Sequence, residues 1–157
     1  MSDKKKQRGY FDSPVGKLCI ETEDDAVTAL YLVKDGRLTE DSETGLLRQV
    51  KTELAEYFAG KRKIFDVPLK LEGTKFRMAV WKALREIPYG ETRYYQEIGD
   101  IVGIPNAGRA VGQANHHNPI MILVPCHRVI GKNGSLTGFG GGLDVKEKLL
   151  ELEKRNK

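Results

Sequence analysis

The amino-acid sequence predicts an α+β fold, with a small N-terminal α/β domain of antiparallel strands over residues 10–70 and a mostly helical C-terminal domain over residues 71–157. Two patterns predict it. Between residues 10 and 33, short alternating runs are separated by turn residues, whereas from Gly73 onward apolar residues recur at three- and four-residue spacing. Residues 1–9, which include Lys4, Lys5 and Lys6, are expected to be a flexible basic tail.

Tyr10-Phe11-Asp12 and Ser13-Pro14-Val15-Gly16 read as strand and turn. Lys17 to Thr22 and, past an acidic turn, Val27 to Val33 read as the next two strands. Leu46, Leu47, Val50, Leu54, Tyr57 and Phe58 then form the apolar face of a helix stopped near Gly60. Thr74 can cap a second helix with Phe76, Val80, Ala83, Leu84 and Ile87 on one face, ending before Pro88-Tyr89-Gly90. A shorter helix over about 92–102, the break Gly103-Ile104-Pro105 and a helix over about 106–115 outline a helix-turn-helix at about 92–115. In the later of these two helices Ala107, Ala110, Val111 and Ala114 fall on one inward stripe, while Arg109 and Gln113 point away from it. Its many small residues, Gly108 and Gly112 among them, would let it press into a narrow groove with a single arginine as probe. Ile120 to Val124 reads as a short buried strand. Asp144-Val145-Lys146-Glu147 reads as a capping box opening a last helix with Val145, Leu149 and Leu152 inward.

Composition narrows the function classes. Residues 1–70 hold 13 Lys/Arg and 13 Asp/Glu, residues 71–157 hold 13 and 9, so the net charge of +4 belongs to the C-terminal part. A field of that sign suits a polyanion. No apolar stretch approaches the roughly 20 residues that span a bilayer, so no membrane association is expected. Two cysteines far apart, Cys19 and Cys126, and the absence of a signal-like segment after Met1 lead us to expect an intracellular, cytoplasmic location, nuclear in a eukaryote.

The chemistry concentrates where the apolar run meets Pro125-Cys126-His127-Arg128-Val129. A cysteine becomes a strong nucleophile as thiolate, and a histidine is the common device for taking its proton. Adjacent residues of an extended chain face opposite ways, so either the chain turns after Pro125 or a water relays the proton between Cys126 and His127. Glu153 lies one turn beyond Leu149 and about 40° round from it, which makes it the carboxylate best placed to face inward and orient a histidine. His116, His117, Cys126, His127 and Cys19 do not reproduce a tetrahedral ligand spacing, so no metal is expected.

These residues resemble the O6-alkylguanine-DNA alkyltransferase family, also called methylated-DNA-protein-cysteine methyltransferases. Pro125-Cys126-His127-Arg128-Val129 is similar to that family's signature, and Asn118-Pro119, Arg109-Ala110-Val111-Gly112, Ile87-Pro88-Tyr89-Gly90-Glu91-Thr92 and Gly141-Gly142-Leu143 stand around it at family spacing. The resemblance covers nearly all of residues 71–157 and is looser over 10–70. It implies repair of DNA by irreversible, stoichiometric transfer of an alkyl group from O6-alkylguanine, with O4-alkylthymine as a second candidate lesion. The partner would be double-stranded DNA approached through the minor groove, by a monomer with no cofactor.

Residue by residue, the resemblance implies Cys126 as acceptor, His127 as its base through a water, Glu153 as the orienting carboxylate and Tyr95 pressed on the flipped nucleotide. Arg109 would enter the stack, with Thr92, Ala110, Gly112, Gln113 and Arg128 as further DNA contacts. Asn118 would act as a hinge and Val129 would offer its carbonyl to the guanine amino group. Phe139, Gly140 and Gly141 would line the substrate pocket. Phe139 and Gly140 stand where many members carry tyrosine and serine, which excludes a side-chain hydroxyl from those two positions. A DNA-binding or damage-sensing module without transfer, and a thiol hydrolase or acyltransferase, are the alternatives. The first would lack the acceptor thiol and the second would turn over.

Overall fold

In a computed structural model, residues 6–34, 41–132 and 142–157 are described. The chain divides into two compact units, Met1–Leu71 and Glu72–Lys157. No helix among the described residues is long and apolar enough to cross a membrane.

The first unit is a three-stranded antiparallel sheet in the order β1 (Lys6–Ser13), β2 (Gly16–Glu23), β3 (Ala26–Leu32), followed by α1 (Gly45–Phe58). The first strand begins inside the segment expected as a tail. Lys6 pairs with Glu23 and Arg8 with Glu21 across the ladder, and the Arg8 guanidinium meets the Glu21 carboxylate at 3.1 Å. Opposite charges on facing strands hold a sequence that reads as solvated by itself. Gly16, at φ 126, closes the turn in a conformation that side chains rarely adopt. Thr44 caps α1 by accepting from the Leu47 N–H, and Leu47, Val50, Leu54 and Tyr57 are buried with Leu18, Ile20, Val27 and Leu30 of the sheet. Phe11 of β1 stacks on Phe58.

The second unit is assembled from α2 (Lys75–Arg85), β4 (Arg93–Tyr94), α3 (Tyr95–Ile101), α4 (Gly108–His116), β5 (Val129–Ile130) and α5 (Leu143–Arg155). Thr74 caps α2, accepting from the Arg77 N–H. Trp81, 2% exposed, donates from Nε1 to the Ala114 carbonyl at 2.9 Å and so fastens α2 to α4. The helix pair α3–α4 turns on Gly103. With φ at 80°, its N–H reaches the Asp100 carbonyl while the Ile104 N–H reaches Gly99, the double bond of a glycine C-terminal cap. Gly99 then lets the helices close, because a Cβ there would stand 3.2 Å from that of Ala107. Short parallel pairing of β4 with β5, Arg93 opposite Val129, ties the entrance of α3 to the segment after Cys126.

Three expectations are corrected. Ile120 to Val124 is buried throughout but is not a strand. The Val124 N–H closes on the Ile120 carbonyl, the Leu123 N–H on Met121, and Ile122 sits at φ 72. A run of five apolar residues reports burial but not geometry, since it carries no period. No capping box forms at Asp144: α5 starts a residue earlier, at Leu143, and the Lys146 N–H reaches back to the Gly142 carbonyl. Ala110 is exposed and Asn115 takes the inward place beside Ala107, Val111 and Ala114.

Candidate active site

Cys126–Arg128 forms a single 3-10 turn after Pro125, with the Arg128 N–H on the Pro125 carbonyl. Successive side chains of such a turn diverge by about 120°, not by the half-circle of a strand, so adjacency no longer opposes thiol and imidazole. All three side chains are buried, Cys126 at 3%, His127 at 0% and Arg128 at 6% exposure.

Burying this much charge demands partners. Glu153 of α5, 1% exposed, supplies them. Its Oε2 accepts from His127 Nε2 at 2.6 Å and from Arg128 at 3.1 Å, and its Oε1 accepts from Arg128 Nε at 2.8 Å and from the Gly90 N–H at 3.2 Å. The third arm of Arg128 donates to the Ile87 carbonyl at 2.7 Å. Burial works against the ionised Glu153, but the bonds and charges of His127 and Arg128 outweigh it and hold the carboxyl well below its usual range. Since an ionised carboxylate can only accept, Nε2 must carry the ring proton. Nδ1, buried and with no hydrogen-bond partner among the described residues, is then the basic nitrogen. Burial holds His127 below its ordinary value. Glu153 pulls the other way, and Arg128 and Lys146 push further down. The imidazole is neutral at neutral pH and able to accept a proton.

Burial pushes the Cys126 thiol up to about 11, against the pull of Asn118, of the Lys146 charge and of the turn's own N–H groups. The resting nucleophile is therefore a protonated thiol, which must lose its proton as it reacts. Lys146 is the residue that sequence reasoning missed. Fully buried on α5, its ammonium is brought down to about 8 by burial and lifted by Cys126, and it lies 5.8 Å from the centroid of the Tyr95 ring. The signal existed: Lys146, Leu149 and Glu153 follow one another at three- and four-residue spacing, a single helical stripe. Asn115 was missed too. It donates to the Cys126 carbonyl at 3.2 Å, and nothing in a lone asparagine among alanines announces that.

The remaining expected residues divide clearly. Asn118 spans the apolar turn, accepting from the Ile120 N–H at 3.0 Å and donating to the Val124 carbonyl at 2.8 Å. Tyr95 opens α3 with its ring against the α4 face that carries Gly108 and Gly112. A Cβ on either glycine would stand no closer than 3.9 Å to Tyr95 or Gln96, so packing inside the unit does not demand glycine there. Thr92, Arg109, Ala110 and Gln113 are exposed, Gly112 is half-buried and Val129 is buried in β5. Arg128, expected among the DNA contacts, is instead buried on Glu153 and the Ile87 carbonyl. Its five donors match a carboxylate and a carbonyl better than open solvent once Glu153 faces inward. Phe139, Gly140 and Gly141 lie outside the described residues.

Known proteins match the chain along its length. The profile of the 6-O-methylguanine DNA methyltransferase DNA-binding domain covers residues 75–155, and that of the same family's ribonuclease-like domain covers residues 7–71. A methylated-DNA–protein-cysteine methyltransferase of Methanosarcina acetivorans is 48% identical over 91% of this chain and 95% of its own. One of Mycolicibacterium paratuberculosis is 50% identical over 92% and 90%. Among solved structures, a Mycobacterium tuberculosis OGT in complex with DNA aligns with a TM-score of 0.87 at 49% identity, covering 95% of this chain and 93% of the other.

Proposed function

The chain belongs to the 6-O-methylguanine DNA methyltransferase family, and from that premise we propose how its buried thiol repairs alkylated DNA. The reaction is DNA repair by transfer of the alkyl group from O6-alkylguanine to the protein's own cysteine. The observation that carries the reading is the buried chain of contacts at Cys126: a thiol in one 3-10 turn with a histidine whose Nε2 is committed to Glu153 at 2.6 Å.

An O6 substituent inside a duplex is shielded, so the nucleotide must leave the stack, at a cost of a few kcal/mol that is lowest for a damaged pair. Arg109, exposed in the first turn of α4, fills the gap from the minor groove, and the exposed Thr92, Ala110 and Gln113 flank it. Tyr95 meets the everted base beside the thiol. His127 Nδ1 takes the thiol proton, directly or through one water, while Glu153 stabilises the imidazolium so formed. The Lys146 charge and the Asn118 amide lower the cost of the thiolate. The sulfur attacks the alkyl carbon, an S–C bond replaces the C–O6 bond, and guanine leaves with that electron pair and takes up a proton. The product is a thioether, which water does not cleave, so each molecule acts once.

Incubation with a duplex containing O6-methylguanine is expected to add one methyl group, in place of one proton, to the peptide that holds Cys126 and to regenerate guanine in the DNA. An unchanged intact mass at saturating substrate overturns the reading.

A further inference from the structure

Arg128 belongs to the turn that carries the nucleophile, yet it is buried, 6% exposed, and its guanidinium is turned to Glu153. Among the described residues its side-chain hydrogen bonds go to Glu153 and to the Ile87 carbonyl, and it reaches both oxygens of the carboxylate that also accepts from His127. A carboxylate paired only with His127 would pull a proton onto the imidazole and hold it there, and a histidine already protonated cannot take the thiol's proton.

We propose that Arg128 is a positioning residue for the transfer: its fork fixes both oxygens of Glu153 and offsets their charge, so that Glu153 orients His127 without protonating it. The proposal deepens the transfer reading above and rests on it. Among the described residues, the charged groups that act on His127 are Glu153 and Lys146 from α5 and Arg128 from its own turn; Cys126 precedes it in that turn, and Tyr89, from the loop after α2, lies with its ring centroid 5.7 Å from the Arg128 guanidinium carbon. Of these only Glu153 favours the imidazolium, and Arg128 and Lys146 oppose it. Removing Arg128 therefore tips the balance toward protonation, and neutralising Glu153 tips it the other way.

The test is the single-turnover rate against pH with O6-methylguanine duplex, read at the midpoint of the acid limb and not at the plateau. Arg128→Met is expected to move that midpoint up by about one pH unit or more, Glu153→Gln to move it down, and the double variant to return it toward the parent value. Arg128→Lys keeps the charge without the fork and is expected to fall between parent and Arg128→Met. A merely structural role lowers the plateau in every variant and leaves the midpoint where it was, which overturns the proposal. If Arg128→Met does not fold, Arg128→Lys carries the test, and a midpoint unmoved from the parent value is equally fatal. Nitrogen NMR of His127 follows the same titrations without any transfer. A parent protein that never gains a methyl group while His127 still titrates as described would sink the transfer reading, and the part of Arg128 in transfer with it, leaving only the hold of Arg128 on the charge of His127.

Discussion

Each of the two units contains one cysteine, and both are free and buried, Cys19 at 1% and Cys126 at 3% exposure. Burial alone raises both thiols above the ordinary value. What separates them is the charge alongside. Cys19, on β2, has a phenol and a carboxylate for company: the Tyr31 hydroxyl, which also donates to Glu21, pulls the thiol down, the Glu21 charge raises it further, and Arg8 pulls against Glu21. No base faces it among the described residues. Cys126 has a neutral imidazole in the same turn, an ammonium across from it on α5 and an amide at Asn118. The comparison teaches that a buried thiol becomes a nucleophile through the groups that take its proton and stabilise its charge, and that burial by itself makes it inert.

Substitutions rank by how directly they touch that difference. Cys126→Ser is expected to abolish transfer outright, with no methyl mass gained at any time of incubation, whereas any transfer by this variant breaks the comparison at its root. His127→Phe removes the base while keeping a ring in the cavity, and a loss of about 10²–10⁴-fold in transfer rate at neutral pH is expected from stopped-time mass spectrometry. Lys146→Met keeps the length of the side chain and deletes the charge. The rate should drop about tenfold to a hundredfold, and the protein should melt no lower than the parent, because an ammonium kept in the interior is itself costly. Loss of melting temperature with an unchanged rate would assign Lys146 to packing alone. Cys19→Ser is the smallest change, with a transfer rate within about twofold of the parent. A large loss there would mean the first thiol does chemistry that its surroundings do not suggest.

Acid stability sharpens the same contrast. The Glu153 carboxyl is held well below its unfolded value, so the stability it confers is present above about pH 4.3 and is lost as pH falls below that. Melting curves of Glu153→Gln are accordingly expected to be flatter than the parent's on the acid side. Methylation of Cys126 is expected to lower the melting temperature by a few degrees, since an extra methyl overpacks a closed site and Lys146 loses the sulfur that could carry its countercharge.

Much of this is legible in the sequence alone. The strands of the first unit, the capped helices α1 and α2 and the Gly103 turn follow from alternation, capping residues and glycine, all of which act within a few positions of the chain. The inward place of Glu153 followed from helical geometry, and its distance of 2.6 Å from His127 is the tertiary consequence. The failures share a cause. Ile120 to Val124 read as a strand because apolarity encodes burial without encoding which way the backbone turns. Arg128 was expected among the DNA contacts and Lys146 was given no role beyond its place in the Asp144–Glu147 run, because a single sequence does not show a buried charge its partner, and those partners lie 25 residues away in the chain or across the fold.

Residue identity and local spacing by themselves determined that this chain carries a nucleophilic cysteine, a histidine next to it and a carboxylate on an inward helix stripe, because propensity and periodicity operate over one or two turns. Only the tertiary structure decided that the thiol rests protonated, that the imidazole rests neutral and that two cations are buried beside them. Those states depend on desolvation and on Coulomb interactions between groups brought within a few ångströms by folding, and no local pattern records such distances.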